Sequence, residues 1–106
     1  MALLLSNIMP GLIAELEQLL LEANEPALSA QVRELRIVER CRCGDDFCAT
    51  FYTEPRPKGS YGTGHRNIEL NPQVGMIILD VVGPKIACVE ILYRDEIQKA
   101  LHAALP

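Results

Sequence analysis

The sequence lacks tryptophan, and only 5% of its 106 residues are aromatic, although 49% are hydrophobic. A chain of this length is expected to form one domain, here residues 1–106, and to bury about two-thirds of its unfolded surface. The core of that domain must be aliphatic, built from Leu, Ile and Val. With so much aliphatic material, the domain needs neither a metal nor a disulfide in order to fold.

The chain also lacks an excess of positive charge and a long apolar run. Its net charge of −4 argues against nucleic acids and anionic membrane surfaces as partners. No stretch approaches the ~18 apolar residues that span a bilayer. The apolar start of the chain has no positive flank and no clear cleavage site, so it does not resemble a signal peptide. We therefore expect a soluble, cytoplasmic protein with no membrane partner.

Two runs of β-forming residues, 75–82 and 86–93, flank a Gly-Pro-Lys break and predict a β-hairpin. Apolar residues occupy both faces of both runs, which is typical of central strands that are covered on both sides. Alternating or β-rich patterns predict further strands at 33–43, 48–53 and 67–70. Connections without helical crossovers indicate that neighbouring strands are antiparallel.

Helical spacing of apolar residues predicts an N-terminal helix from Asn7, as its cap, to about Ala23, with Pro10 in the first turn. A short helix is expected at 27–31. A closing helix begins at Asp95, where Asp95 and Gln98 have the spacing of a capping box. The predicted fold class is therefore α+β, an antiparallel sheet of four or five strands with an N-terminal helix and a C-terminal helix packed on it.

The N-terminal helix carries more apolar residues than one sheet face needs. It is either fully buried or partly used for self-association. In so small a domain, the surplus favours a homodimer held by these residues: Leu12, Ile13, Leu16, Leu19, Leu20 and Leu21.

Three of the four cysteines lie within eight positions, in a chain expected to stay in a reducing compartment. Cys41, Cys43 and Cys48 could bind zinc, with His65 or Cys88 as a fourth ligand. Alternatively they are reduced packing residues, because strand parity places Cys41 and Cys43 on the inward face, and Cys is often buried. The packing hypothesis is narrowly favoured, so we expect no cofactor, with zinc as the alternative.

Catalytic constellations are sparse. A cysteine nucleophile would need a nearby base, and His65 is the candidate, since His102 falls on the solvent flank of the closing helix. Asp80 and Glu90 interrupt the central hairpin and could face each other as an acid–base pair, but no third group in the sequence supports that role. A cysteine-dependent enzyme is therefore the weakest of the functional hypotheses.

The long loop at 55–64, between the strands predicted at 48–53 and 67–70, is glycine-rich and basic. It does not lead into a helix, so it is not a phosphate-binding loop. Long loops in compact domains are often functional. The predicted binding surface comprises residues in or beside this loop: Arg56, Lys58, Tyr61, His65 and Arg66.

The hairpin sequence at 75–92 is similar to hairpins in small bacterial families of unknown function, and Cys41-Arg42-Cys43-Gly44 is similar to a stretch in uncharacterised bacterial proteins. This resemblance implies a bacterial origin and an α+β fold, and it implies no activity or site residues. The leading functional hypothesis is a non-enzymatic interaction or regulatory domain that acts as a homodimer and could bind a protein partner. A zinc-binding domain is the first alternative.

Overall fold

The structure is a computed structural model and describes residues 3–106. In chain order its elements are β1 (Leu3–Leu4), α1 (Leu5–Ile8), α2 (Pro10–Glu22), α3 (Pro26–Gln31), a 3-10 turn (Val32–Glu34), β2 (Arg36–Ile37), β3 (Glu39–Arg40), β4 (Phe51–Tyr52), β5 (His65–Glu69), β6 (Met76–Val82), β7 (Lys85–Leu92) and α4 (Asp95–Ala104).

The main sheet has five antiparallel strands in the order β3-β4-β7-β6-β5, and β1 and β2 form a separate antiparallel pair. Helices lie at both ends of the chain. The predicted α+β fold with an antiparallel sheet of four or five strands is therefore confirmed. Within residues 3–106, no helix is long and apolar enough to cross a membrane.

The predicted hairpin forms the centre of the sheet. Strands β6 and β7 pair from Met76 opposite Leu92 to Val82 opposite Lys85, and the turn between them contains Gly83 at φ +59°. A bulge after Asp80 changes the register by one residue. Because β6 and β7 have strands on both sides, they are central strands, as their apolar patterns predict.

One face of this hairpin packs against the helices. Leu79 and Val89 are opposite each other and fully buried, in one aliphatic cluster with Leu16 and Leu20 of α2 and Leu101 of α4. Burial of several such side chains, at about 1.5–3 kcal/mol each, is the main force that holds the helices on the sheet.

The apolar side chains of the N-terminal helix are mostly buried within one chain. The dimer hypothesis assumed that several of them are exposed, so this premise is contradicted. Five of the six proposed contact residues are buried, and Leu21 alone among them is exposed, at 53%. The elements α1, α3 and the 3-10 turn pack against α2, and its buried side chains share one cluster with those of the sheet. The homodimer stays a prediction, without the support that its exposed helix was expected to give.

Three local predictions were wrong at element ends. The N-terminal helix is interrupted at Met9 (φ −139°, ψ 69°), because the residue before a proline disfavours helical geometry, and Asn7 lies inside α1 without capping it. The strand expected over 33–43 is divided into β2 and β3 and ends at Arg40. At α4, Arg94 is the N-cap and makes no side-chain capping bond, so the capping box is not formed.

Gly75, directly before β6, allows a test of the backbone geometry at the start of that strand. Its φ is +75°, and an added Cβ would lie 2.5 Å from the backbone oxygen of Leu92. We expect Gly75→Ala to lower the free energy of unfolding, measured in urea, by at least about 2 kcal/mol. The alanine Cβ would clash with the Leu92 oxygen, and alanine is also strained at this positive φ.

Gly11 is the matched control, since it lies in α2 with no atom within 4 Å of its added Cβ. Gly11→Ala should leave stability unchanged or raise it by up to about 1 kcal/mol. Equal effects of the two substitutions would contradict the geometry at Gly75.

Candidate metal centre

Residues 41–48 form a loop whose two ends are fixed to the main sheet. At one end the backbone N–H of Cys41 donates to the Thr50 oxygen at 2.9 Å. At the other end Cys48 forms an isolated antiparallel bridge with Leu92, the last residue of β7. The first and third cysteines are therefore held by backbone pairing, and the chain between them must turn tightly.

The turn between them uses residue types suited to it. Gly44 has a φ of +82°, a conformation that side-chain-bearing residues rarely adopt. The backbone N–H of Cys48 donates to the Asp45 oxygen at 3.2 Å, which closes the turn. Phe47 stacks on Tyr93 with ring centroids 5.2 Å apart and so holds the loop against the end of β7.

This folding brings the three sulfur atoms together. The Sγ atoms of Cys41, Cys43 and Cys48 all lie within 4.8 Å of one another, and all three thiols are free. Cys43 is exposed, and Cys41 and Cys48 are half-buried. The inward packing expected for Cys41 and Cys43 is therefore wrong. Because β3 ends at Arg40, the strand alternation behind that expectation does not extend to these positions.

The sulfur arrangement fits a tetrahedral metal. Zinc–sulfur bonds of about 2.3 Å place two thiolate ligands about 3.8 Å apart. The observed limit of 4.8 Å requires the sulfur atoms to approach by at most about 1 Å, which side-chain rotation can provide. The three cysteines could thus hold a metal ion.

Hydrogen bonds distribute protons unevenly among these thiols. Burial opposes ionisation of Cys48, but hydrogen bonds from Thr50, Cys43 and Cys41 outweigh it and lower the pKa of Cys48. The backbone N–H of Asp45 favours the Cys43 thiolate, but Cys43 donates its own proton to Cys48 and Cys41, and the net effect raises the pKa of Cys43 to about 11. Cys48 is therefore the thiol that ionises most readily of these two.

Two arginines and the C-terminal helix surround the loop. A surface cavity of about 350 Å³ is lined by the three cysteines together with Arg40, Gly44, Asp45, Asp46, Gln98 and His102. Arg40 Nε donates to the Leu105 oxygen at 2.5 Å, and Arg42 Nη1 donates to a Pro106 oxygen at 3.2 Å. The Arg40 and Arg42 guanidinium groups beside the thiols are therefore held in place by Leu105 and Pro106.

The structure does not bring His65 to the cysteines. His65 begins β5, at the opposite edge of the sheet from β3, and four strand spacings of about 4.8 Å separate these two strands. Cys88 is buried on β7 and is outside the group of close sulfur atoms. Burial, followed by the charges of Asp80 and Glu90, raises the pKa of the Cys88 thiol.

His102 lines this cavity, a position that the sequence did not predict. It is exposed, as expected, but it faces the cysteine loop. The available signal was its position four residues after Gln98, on the same helix face. Gln98 Nε2 donates to the backbone oxygens of Cys48 at 3.2 Å and Asp45 at 3.4 Å.

A second polar cluster occupies the sheet face opposite the helices. His65 Nε2 lies 2.8 Å from Asp80 Oδ1, and Asn67 Nδ2 donates to the same oxygen at 2.6 Å. Tyr61 packs over the His65 ring with centroids 4.7 Å apart. His65 is therefore a third polar group beside Asp80 and Glu90, which the sequence did not reveal. The Asp80 side chain itself is buried, with 7% of Asp80 exposed.

Asp80 and Glu90 share a proton in this cluster. The hydrogen bond that Glu90 donates to Asp80, with burial added, raises the pKa of Glu90 to about 7. Burial opposes ionisation of Asp80, but hydrogen bonds from Glu90, His65 and Asn67 outweigh it and lower the pKa of Asp80. Below about pH 7 the pair therefore carries about one negative charge rather than two.

Of the five residues of the expected binding surface, Arg66 lies apart from His65, and the surface as a whole stays a prediction. Arg66 forms an ion pair with Glu25 at 2.9 Å, and His65, its neighbour on β5, points to the opposite sheet face. Tyr61 and His65 are together, the Arg56 guanidinium lies 4.8 Å from the Tyr52 ring centre, and Lys58 is exposed.

Comparison with protein-family models, curated proteins and solved structures finds no match to this chain.

The shared proton predicts a pH dependence of stability. In the folded protein Glu90 keeps its proton up to about pH 7, whereas an unfolded chain loses it near its ordinary value of 4.5. Between these values the folded state binds more protons, so Glu90 makes stability fall as pH rises. Glu90→Gln stays neutral, and its stability relative to the natural chain should increase between about pH 5 and about pH 8 in urea unfolding.

Glu34→Gln is the charge-matched control, because Glu34 is exposed on the 3-10 turn. Its stability difference from the natural chain should stay constant over the same range. A constant difference for Glu90→Gln would contradict the shared proton.

Proposed function

We propose that this chain is a non-enzymatic metal-binding domain that holds Zn²⁺ through Cys41, Cys43 and Cys48. The observation that carries the proposal is the mutual approach of three free Sγ atoms within 4.8 Å. Three cysteines in a Cys-x-Cys-x4-Cys segment converge through backbone pairing and one tight turn, which is how a preformed ligand set arises.

The choice of zinc follows from the donor atoms. Thiolates are soft ligands that select zinc, Cu(I) or iron–sulfur clusters over magnesium, calcium and manganese. Zinc is common in sites with three cysteines and a fourth ligand, and it has no redox chemistry of its own. Arg40, which lines the cavity, partly balances the negative charge of a zinc ion with three thiolates.

The position of the cysteines favours a regulatory role for the metal. The aliphatic core lies on the other elements and includes none of the three cysteines. The domain can therefore fold without the ion, and the ion would order the 41–48 loop locally. Binding of this kind suits a sensor or an adaptor, in which the metal changes one surface while the fold persists.

Metal analysis tests the proposal directly. Protein purified without chelators and then dialysed against zinc should retain about one zinc ion per chain. Cys43→Ser should weaken zinc binding by at least about tenfold, since even residues that only orient metal ligands contribute that much. Cys43 is suited to the test because it is exposed, so its substitution leaves the core intact.

Cys88→Ala is the matched control, because Cys88 is buried on β7 and is not among the close sulfur atoms. It should keep full zinc binding, measured by competition with a chromophoric chelator. Failure of the natural chain to retain zinc, or equal losses in the two variants, would refute the proposed site.

A further inference from the structure

We infer that His102 is the fourth ligand of the metal, so that the ion connects the C-terminal helix to the cysteine loop. This inference rests on the proposed function, because it presupposes that the three cysteines bind zinc. It assigns the ligand to a helix 54 residues beyond Cys48, counted from position 48 to position 102.

The placement of α4 carries the inference. His102 lines the same cavity as the three cysteines. One turn earlier on the same helix face, Gln98 already donates to the Cys48 backbone oxygen at 3.2 Å. Since residues four apart on a helix are neighbours, this contact fixes the His102 face of α4 toward the loop.

Arg40 contacts both the cysteine loop and His102. Arg40 Nη1 donates to the Cys41 oxygen at 3.2 Å and lies 3.5 Å from His102 Nε2. A guanidinium has no acceptor, so in a hydrogen bond between these two groups Nε2 is the acceptor. An unprotonated imidazole nitrogen is the form that binds a metal.

The competing donors are less suitable. Asp45 and Asp46 line the cavity, but their carboxylates are harder ligands than imidazole and would add a fourth negative charge to three thiolates. Three cysteines and one histidine form a common structural zinc set. Ring rotation of His102 away from Arg40 is the movement that the site requires, because the present close group contains the three sulfur atoms alone.

The two histidines of the chain allow a matched test. Zinc-loaded protein should give an X-ray absorption spectrum that fits three sulfur atoms at about 2.3 Å and one nitrogen at about 2.0–2.1 Å. His102→Gln should remove the multiple-scattering signal of the imidazole ring, which an oxygen ligand at the same distance does not give, and should weaken zinc binding by at least about tenfold. His65→Gln, at the opposite sheet edge, should leave both the spectrum and the affinity unchanged.

Hydrogen exchange gives a second readout. Zinc should slow amide exchange in residues 95–104 of the natural chain and of His65→Gln, but not of His102→Gln. Equal zinc binding by the natural chain and His102→Gln would overturn the inference and leave the three-cysteine site intact. A spectrum without a nitrogen ligand would do the same. So would a loss of zinc affinity in Asp45→Asn or Asp46→Asn instead of in His102→Gln. Absence of zinc from every variant would instead refute the proposed function.

Discussion

The alternation of side chains along the paired strands β6 and β7 is the constraint on which the rest of the structure depends. Their register places Leu79 opposite Val89 on the helix face and Asp80 opposite Cys88 on the other. A slip by one residue would move the Asp80 carboxyl into an aliphatic core, at a cost of several kcal/mol for an unpaired buried charge. The register between β5 and β6 places Asn67 opposite Asp80, so the position of Asp80 on β6 determines both the polar cluster and the core.

The end of this hairpin also positions the cysteine loop. Leu92 completes β7, pairs with Cys48, and is followed by Tyr93, whose N–H donates to the Phe47 oxygen at 2.9 Å. Arg94 then begins the entry to α4, and Glu15 of α2 holds its guanidinium through two bonds of 2.8 Å. Core packing therefore determines where α4 lies relative to the cysteines, although no cysteine of the loop belongs to the core.

The parts of the fold that sequence could predict are those set by local pattern. The hairpin, the helical character of residues 10–22 and the closing helix follow from periodicity within one element. The end of β3 at Arg40 does not, because it depends on a two-residue pairing with β4, a strand on the other side of the cysteine loop. Strand alternation continued beyond Arg40 predicts Cys43 in the core, whereas the strand stops at Arg40 and Cys43 lies in an exposed loop.

The sites were harder to predict because their members are distant in sequence. The proximity of Cys41, Cys43 and Cys48 could be recognised from spacing, but the exposure of Cys43 and the half-burial of the other two could not. His65 and Asp80 meet only because β5 pairs with β6 in one particular register, which composition does not specify. His65 is closer to the cysteines in sequence than His102 is. The strand order nevertheless places His65 on β5, at the edge of the sheet opposite β3.

The proximity of three thiols has opposite consequences with and without a metal. Free thiolates at this distance would repel one another. Hydrogen bonds among the thiols lower the pKa of Cys48 and raise that of Cys43, so that Cys43 keeps its proton while Cys48 ionises more readily. A divalent ion bound by the three sulfur atoms would replace the remaining protons, and each thiolate would then be attracted to the ion. The geometry that disfavours three ionised thiols is thus the geometry that favours the complex, and Arg40 reduces the charge that remains.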